Sequence, residues 1–291
     1  MSIITENSNP QTWDIDMQNG YEIARLINAE DKNVALAVEK ILPQIGLAID
    51  KITERLRGGG RMAYFGAGTS GRIGILDASE MPPTFGVSPD MIRGYIAGGE
   101  QAVRNAVENA EDNSELAKED FNSFNPQKND VIIAISASGN PVYTMKILQM
   151  AKSVEALSIA VTSNPEAAFK PYADIFLCVE LGAEAVTGSS RMKSGTAQKM
   201  ILNMLSTGAM VSLGKTYHNY MIDLQINNAK LRTRAVNIIK EICATDEKTA
   251  QKTLDVAGNV KTACVMIIKN CDKEKAEALL KKNDGILRRI I

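Results

Sequence analysis

Two short runs in this chain combine glycines with hydroxyls in a pattern suited to an anion: Gly66-Ala67-Gly68-Thr69-Ser70-Gly71-Arg72 and Ser136-Ala137-Ser138-Gly139-Asn140. Glycine lets a backbone approach an anion closely, and unpaired N–H groups at a helix start, with the helix dipole, favour negative charge. Each run follows a short apolar stretch, Met62 to Phe65 or Val131 to Ile135, and so reads as a strand end turning into a helix. The first of these helices is expected to begin near Arg72. In the second run two hydroxyls and successive amides make a donor set for three phosphate oxygens. Taken alone, Ser136 and Ser138 are equally turn and N-cap residues; two such loops on one sheet favour phosphate. A dinucleotide site competes for the first run, because Gly66, Gly68 and Gly71 have G-x-G-x-x-G spacing. The acidic residue that such a site needs about twenty residues on has only Asp90 to offer, in a proline-flanked loop rather than at a strand end.

Carboxyls and cations supply the remaining chemistry. Glu80 stands just before Pro82-Pro83, where a helix is expected to stop, among the apolar Met81 and Phe85. Burial there would raise its pKa and keep a donatable proton, whereas a helix-end position on the surface would leave it an ordinary carboxylate. Glu111 lies in a run with Glu108, Asp112 and Glu115, and spacing alone makes it part of a solvated helix face. Glu184, ahead of Gly188-Ser189-Ser190-Arg191-Met192-Lys193, reads equally as a sugar contact or a structural cap. His218 is the only histidine, and no His/Cys/Asp cluster has ligand spacing, so no metal is expected. Cys178, Cys243, Cys264 and Cys271 lack CxxC spacing and read as structural thiols.

The elements that must position these groups follow from periodicity. Apolar runs at Met62 to Phe65, Gly94 to Ala97, Val131 to Ile135, Leu157 to Val161 and Ile175 to Val179 alternate with helical patterns. That alternation predicts an α/β fold, a doubly wound parallel sheet with helices on both faces. A polar arm to about Asp31 precedes one long amphipathic helix, Asn33 to Leu56, interrupted at Pro43. Charged residues from Glu100 to Lys128 predict one or two surface helices. Met192 to Leu213 reads as a packed helix and Asn219 to Ile242 as a further one. From Thr245 the chain becomes lysine-rich, with short helices at Glu247 to Ala257, Asn259 to Asn270 and Lys273 to Lys281. The expected organisation is an arm and helix over 1–50, a phosphate-binding domain over 51–214, a linking helix over 215–244 and a small C-terminal helical bundle over 245–291.

Bulk properties narrow the partners. With 33 Lys plus Arg against 34 Asp plus Glu, the net charge of -1 offers no nucleic-acid surface and no polybasic membrane patch. The first twenty residues lack a charged segment followed by an apolar one, and no stretch holds eighteen uninterrupted apolar residues. A soluble, cytoplasmic protein acting on a small molecule is expected.

The two glycine and serine loops resemble those of the sugar isomerase domain family, whose members bind phosphosugars at strand ends. Three blocks bring the resemblance closer: residues 66–72 continuing through Ala78-Ser79-Glu80-Met81-Pro82-Pro83-Thr84-Phe85-Gly86; Ala97-Gly98-Gly99-Glu100 with Ala110-Glu111-Asp112-Asn113; and Gly188-Ser189-Ser190-Arg191-Met192-Lys193-Ser194-Gly195-Thr196-Ala197-Gln198-Lys199. Together they are similar to the N-acetylmuramic acid 6-phosphate etherase family, over roughly residues 10 to 290. The resemblance implies cleavage of the D-lactyl ether at C3 of the sugar, with Glu80 as the acid and Glu111 as the second catalytic carboxyl. It also implies that Ser136 and Ser138, with Ser70 nearby, hold the phosphate or the sugar; Thr69, Gly71, Ala137, Gly139, Glu184, Ser189, Ser190 and Lys193 are the further substrate-binding candidates, and Arg191 and Lys193 carry charge that suits phosphate or lactate. One departure stands out: the family's usual Ala-Ala-Ser-Gly-Arg-Thr-Pro-Tyr is here Ser136-Ala137-Ser138-Gly139-Asn140-Pro141-Val142-Tyr143, which lacks the threonine hydroxyl and replaces the arginine with Asn140.

The implied reaction is an elimination followed by hydration, which needs an acid and a base but in principle no metal or cofactor. Two other readings use the same loops: an aldose-ketose isomerase, and a phosphosugar-responsive regulator like glucokinase regulatory protein, which has two sugar isomerase domains where this chain has room for one. A DNA-binding regulator would need a basic helix-turn-helix that the arm before Asp31 lacks. The family resemblance and the methionine-rich helix from Met192 point to a homodimer.

Overall fold

The computed structural model describes residues 6–291; the first five residues of the N-terminal arm lie outside the described residues. The chain forms two compact units, one of residues 6–79 and 89–206, the other of residues 80–88 and 207–291.

In the first unit, α1 (Gly20–Glu39) and α2 (Leu42–Arg57) replace the single long helix expected over Asn33 to Leu56. Helix α1 starts well inside the stretch expected to be an arm, where Asn19 caps it by accepting the Glu22 N–H. Pro43 does not interrupt a helix but stands in the first turn of one, where its missing N–H would have had no helical partner. A parallel sheet follows: β1 (Met62–Gly66), β2 (Ile92–Ile96), β3 (Val131–Ile135), β4 (Leu157–Thr162) and β5 (Ile175–Cys178), in the order β2-β1-β3-β4-β5. β1, β3 and β4 are wholly buried, as the Val/Ile/Ala composition of β3 and β4 requires of strands covered on both faces.

The register sets the geometry of the site. Gly66 at the end of β1 is opposite Ile135 at the end of β3, and Ile135 is opposite Val161 of β4. The strand order reverses between β1 and β3, and in doubly wound sheets that crevice at the carboxyl ends is where ligands bind. Both serine and glycine loops emerge there, side by side.

Helix α3 (Gly68–Phe85) begins four residues earlier than expected and does not stop at Pro82-Pro83. The two prolines fall in its last turn, where they forfeit at most two backbone bonds. Gly86, at φ +62°, ends it, with its N–H on the Pro82 carbonyl at 3.0 Å. Between β2 and β3 lie α4 (Gly99–Arg104), a 3-10 turn at Ala110–Asp112 and α5 (Ser114–Phe124). Helices α6 (Val142–Ser153) and α7 (Lys193–Ser212) complete the layers. Buried Asp77 of α3 joins three elements: its carboxylate accepts from Tyr64 Oη of β1 at 2.8 Å, and from Asn203 Nδ2 and Ser206 Oγ of α7 at 2.6 and 3.1 Å. Burial and the Asp77 charge push the Tyr64 phenol well above its usual pKa, so it stays a donor.

The second unit contains a short hairpin of β6 (Thr216–Tyr217) and β7 (Tyr220–Met221), then α8 (Ala229–Cys243), α9 (Glu247–Ala257), α10 (Val260–Lys269) and α11 (Lys273–Lys282). The last three match the lysine-rich periodicity within a residue. Asn219 to Ile242 is not one helix, because the hairpin takes its first residues. Each of the four helices is capped by an Asn or Asp side chain accepting the N–H three residues on, at Asn228, Asp246, Asn259 and Asp272. Their apolar faces share one core that includes Ile239, Leu254, Cys264, Ala276 and Leu287. Among the described residues no helix is long and apolar enough to cross a membrane.

Candidate active site

A cavity of about 300 Å³ opens over the ends of β1 and β3, lined by residues from five segments of the first unit. Thr69 and Ser70 come from the first turn of α3, and Ile135, Ser136, Ala137, Ser138 and Pro141 from the loop after β3. Ser190 and Gly188 precede α7, Glu111 comes from the 3-10 turn, and Glu6 from the N-terminal arm. The first-turn amides of α3 have no helical acceptor and make an anion site with the surrounding hydroxyls.

Close packing explains the glycines of the first loop. A Cβ on Gly66 would lie 2.6 Å from the Gly71 nitrogen, and one on Gly71 2.6 Å from Ile96 Cγ1. Gly71 therefore seats the helix start against the strand ends and does not line the cavity. In the second loop Ser136 Oγ accepts the Gly139 N–H at 3.0 Å and Ser138 Oγ accepts the Asn140 N–H at 3.3 Å. Ser136 and Ser138 thus cap the turn and line the cavity at once. Gly139 shapes the turn at φ +68°, packed on Ala167. Asn140, which replaces the family's arginine, accepts the Ala168 N–H through Oδ1 at 3.3 Å.

Residues behind the loop hold it. Thr162 Oγ1 donates to the Ala137 carbonyl at 3.0 Å, and Asn164 Nδ2 donates to the Ser138 carbonyl at 2.8 Å. Sequence reasoning passed over both, although Thr162-Ser163-Asn164-Pro165 directly after a strand is a turn signature. Glu6 had no local signal at all, since only the fold brings it to the cavity.

Other expected site residues are elsewhere. Glu184 is fully buried, and its carboxylate accepts the Lys193 N–H at 2.8 Å and both the N–H and the hydroxyl of Ser194 at 2.9 and 2.8 Å. Of its two open readings, the structural cap is the one seen. Lys193 is buried, its ammonium paired with Glu30 and donating to the Leu181 carbonyl at 3.0 Å; Glu30 in turn accepts from Asn9. Neither Glu184 nor Lys193 lines the cavity, and neither does Ser189, whose N–H turns back to the Val186 carbonyl. His218, in the second unit, has Nδ1 3.2 Å from the Arg288 guanidinium.

The two glutamates differ from expectation. Glu80 lies in the second unit and is exposed near the end of α3, so the burial expected for it is absent. Glu111 is not on a continuous helix face. Asn109, at φ +59°, breaks the chain into a 3-10 turn that puts Glu111 on the cavity wall. It also lines an adjoining cavity of about 230 Å³.

Comparison with known proteins identifies the fold and the family. Residues 44–152 match the glucokinase regulatory protein N-terminal SIS domain, residues 105–208 the SIS domain, and residues 218–257 the C-terminal lid domain of glucokinase regulatory protein. A phosphoheptose isomerase from Francisella tularensis shares the fold, with a TM-score of 0.52 at 18% identity, over 67% of this chain and 100% of that one. The N-acetylmuramic acid 6-phosphate etherase of Glaesserella parasuis serovar 5 (strain SH0165) is 49% identical over 99% of this chain and 95% of its own length. The one of Actinobacillus pleuropneumoniae serotype 5b (strain L20) is 48% identical over 99% of this chain and 95% of its own. Similarity at this level along the whole chain makes the protein a member of the N-acetylmuramic acid 6-phosphate etherase family.

Proposed function

We propose that this chain cleaves the D-lactyl ether of N-acetylmuramic acid 6-phosphate by elimination and hydration, releasing D-lactate and N-acetylglucosamine 6-phosphate in cell-wall recycling. The observation that carries this reading is the meeting of Thr69, Ser70, Ser136, Ser138 and Ser190 with the carboxyl of Glu111 in one cavity. Hydroxyls and α3 amides receive the 6-phosphate, which leaves the sugar to reach toward Glu111.

Ring opening makes C1 an aldehyde and C2 acidic. The lactyl oxygen on C3 is then β to the carbonyl, so loss of the C2 proton to a base and protonation of the leaving oxygen by an acid expel lactate. Water adds at C3. Glu111 is the base in this scheme and Glu80 the acid. A cytoplasmic homodimer is part of the same reading; Trp13, Met17 and Tyr21, each more than 70% exposed, are the apolar side chains that pairing would cover.

The test is lactate release from N-acetylmuramic acid 6-phosphate in water labelled with heavy oxygen. Label at C3 of the sugar is expected, label in lactate would rule out elimination, and no lactate at all would remove the assignment.

A further inference from the structure

The adjoining cavity of about 230 Å³ is a separate chamber that shares Ala67, Gly68 and Glu111 with the phosphosugar cavity. Its wall is mostly methyl groups, those of Ala67, Ala97, Ala102, Ala106, Val107 and Ala110. Asn105 and Asn109 add amides, and its ionic groups are Arg72, Glu108 and Glu111.

The cation is already engaged. Arg72 donates through Nε to the Val103 carbonyl at 2.8 Å and through Nη2 to the Ala102 and Asn105 carbonyls at 2.8 and 3.1 Å. These carbonyls lie at the end of α4, where the last turn has no helical donors to receive. Arg72 therefore builds the chamber wall, and the two carboxylates make the space unfavourable for an anion. The chamber suits a neutral group ending in a small apolar tip.

The proposed substrate carries two substituents beyond its hydroxyls near the reacting carbons. The lactyl ether on C3 ends in a carboxylate. The acetamido group on C2 is neutral and ends in a methyl. We propose that this chamber is an acyl subsite, which takes the acetamido methyl among the alanines and so brings the C2 hydrogen to Glu111. The inference rests on the phosphosugar reading above and adds to it a determinant of selectivity for 2-acetamido sugars, with Arg72 as a positioning residue.

Ala106→Leu tests this, because Ala106 is exposed on the wall and the change fills the chamber without disturbing the core. Three ligands separate the substituents: N-acetylmuramic acid 6-phosphate has both, N-acetylglucosamine 6-phosphate has only the acetamido group, and 3-O-lactylglucose 6-phosphate has only the lactyl group. In the variant, affinity for N-acetylglucosamine 6-phosphate is expected to fall about tenfold. The kcat/KM preference for N-acetylmuramic acid 6-phosphate over 3-O-lactylglucose 6-phosphate is expected to fall by a similar factor. Losses confined to the two lactyl compounds would assign the chamber to the leaving group and overturn the proposal. Equal losses on all three, or none, would also overturn it. Wild-type protein that binds none of them would remove the phosphosugar reading and the subsite with it.

Discussion

Glu184 holds Ser194 at two points, the backbone N–H at 2.9 Å and the hydroxyl at 2.8 Å, and so closes the first turn of α7 from a fully buried position. The same carboxylate accepts the Lys193 N–H. Glu184→Ala leaves two helix-start donors and a buried hydroxyl without partners, and it is expected to cost about 3 kcal/mol. Urea unfolding measures this. A residue that only contacted sugar would instead leave stability unchanged and raise KM.

The local sequence around Glu184 does not distinguish its two roles. A glutamate before a serine-rich loop has the same local pattern whether it meets a ligand or a helix start, and only the path of residues 185–193 decides. The β-strands and the tail helices were legible because their periodicity is strong and their ends carry Asn, Asp or Gly. The break between α1 and α2 was not, since Pro43 marks both a helix interruption and a first helical turn. The loops at Ser70 and Ser136 were readable as a pair because each follows a buried strand. That Glu111 belongs with them depends on a left-handed Asn109 and on Arg72 reaching across to α4, which spacing does not record.

Gly139 is expected to be indispensable to the second loop. Its φ of +68° costs a residue with a Cβ about 1–2 kcal/mol, and that Cβ would stand 2.3 Å from Ala167 Cβ. Gly139→Ala should shift the loop and weaken N-acetylglucosamine 6-phosphate binding by about tenfold or more, measured by calorimetry. Unchanged affinity would show that the loop geometry is not what holds the phosphate.

Arg72→Lys keeps the charge but cannot reproduce three bonds from a planar fork. With the α4 end released, Glu111 is expected to lose its position, lowering kcat about tenfold or more. If charge rather than wall-building were the role, Lys would retain kcat.

In the second unit Asp223 pairs with Lys261 at 2.7 Å and with Lys215 at 3.1 Å, all three largely buried. Asp223→Ala leaves two ammonium groups unpaired and is expected to destabilise this unit by about 3 kcal/mol. Burial holds the Lys261 pKa below the usual lysine value despite Asp223. The folded state therefore binds fewer protons than the unfolded chain in the window just under that value, and stability rises with pH there. Chemical unfolding across that window should show the rise in the wild type and its loss in Lys261→Met.

The two carboxyls proposed as acid and base should fail differently. If Glu111 takes the C2 proton and Glu80 protonates the leaving oxygen, Glu80→Gln can still enolise the open sugar but cannot expel lactate. It is expected to exchange deuterium from solvent into C2 of N-acetylmuramic acid 6-phosphate while lactate release falls by at least about a hundredfold. Glu111→Gln should lose both exchange and release. Proton NMR of the C2 position reads exchange, and a lactate assay reads release. Exchange lost in Glu80→Gln and kept in Glu111→Gln would reverse the assignment.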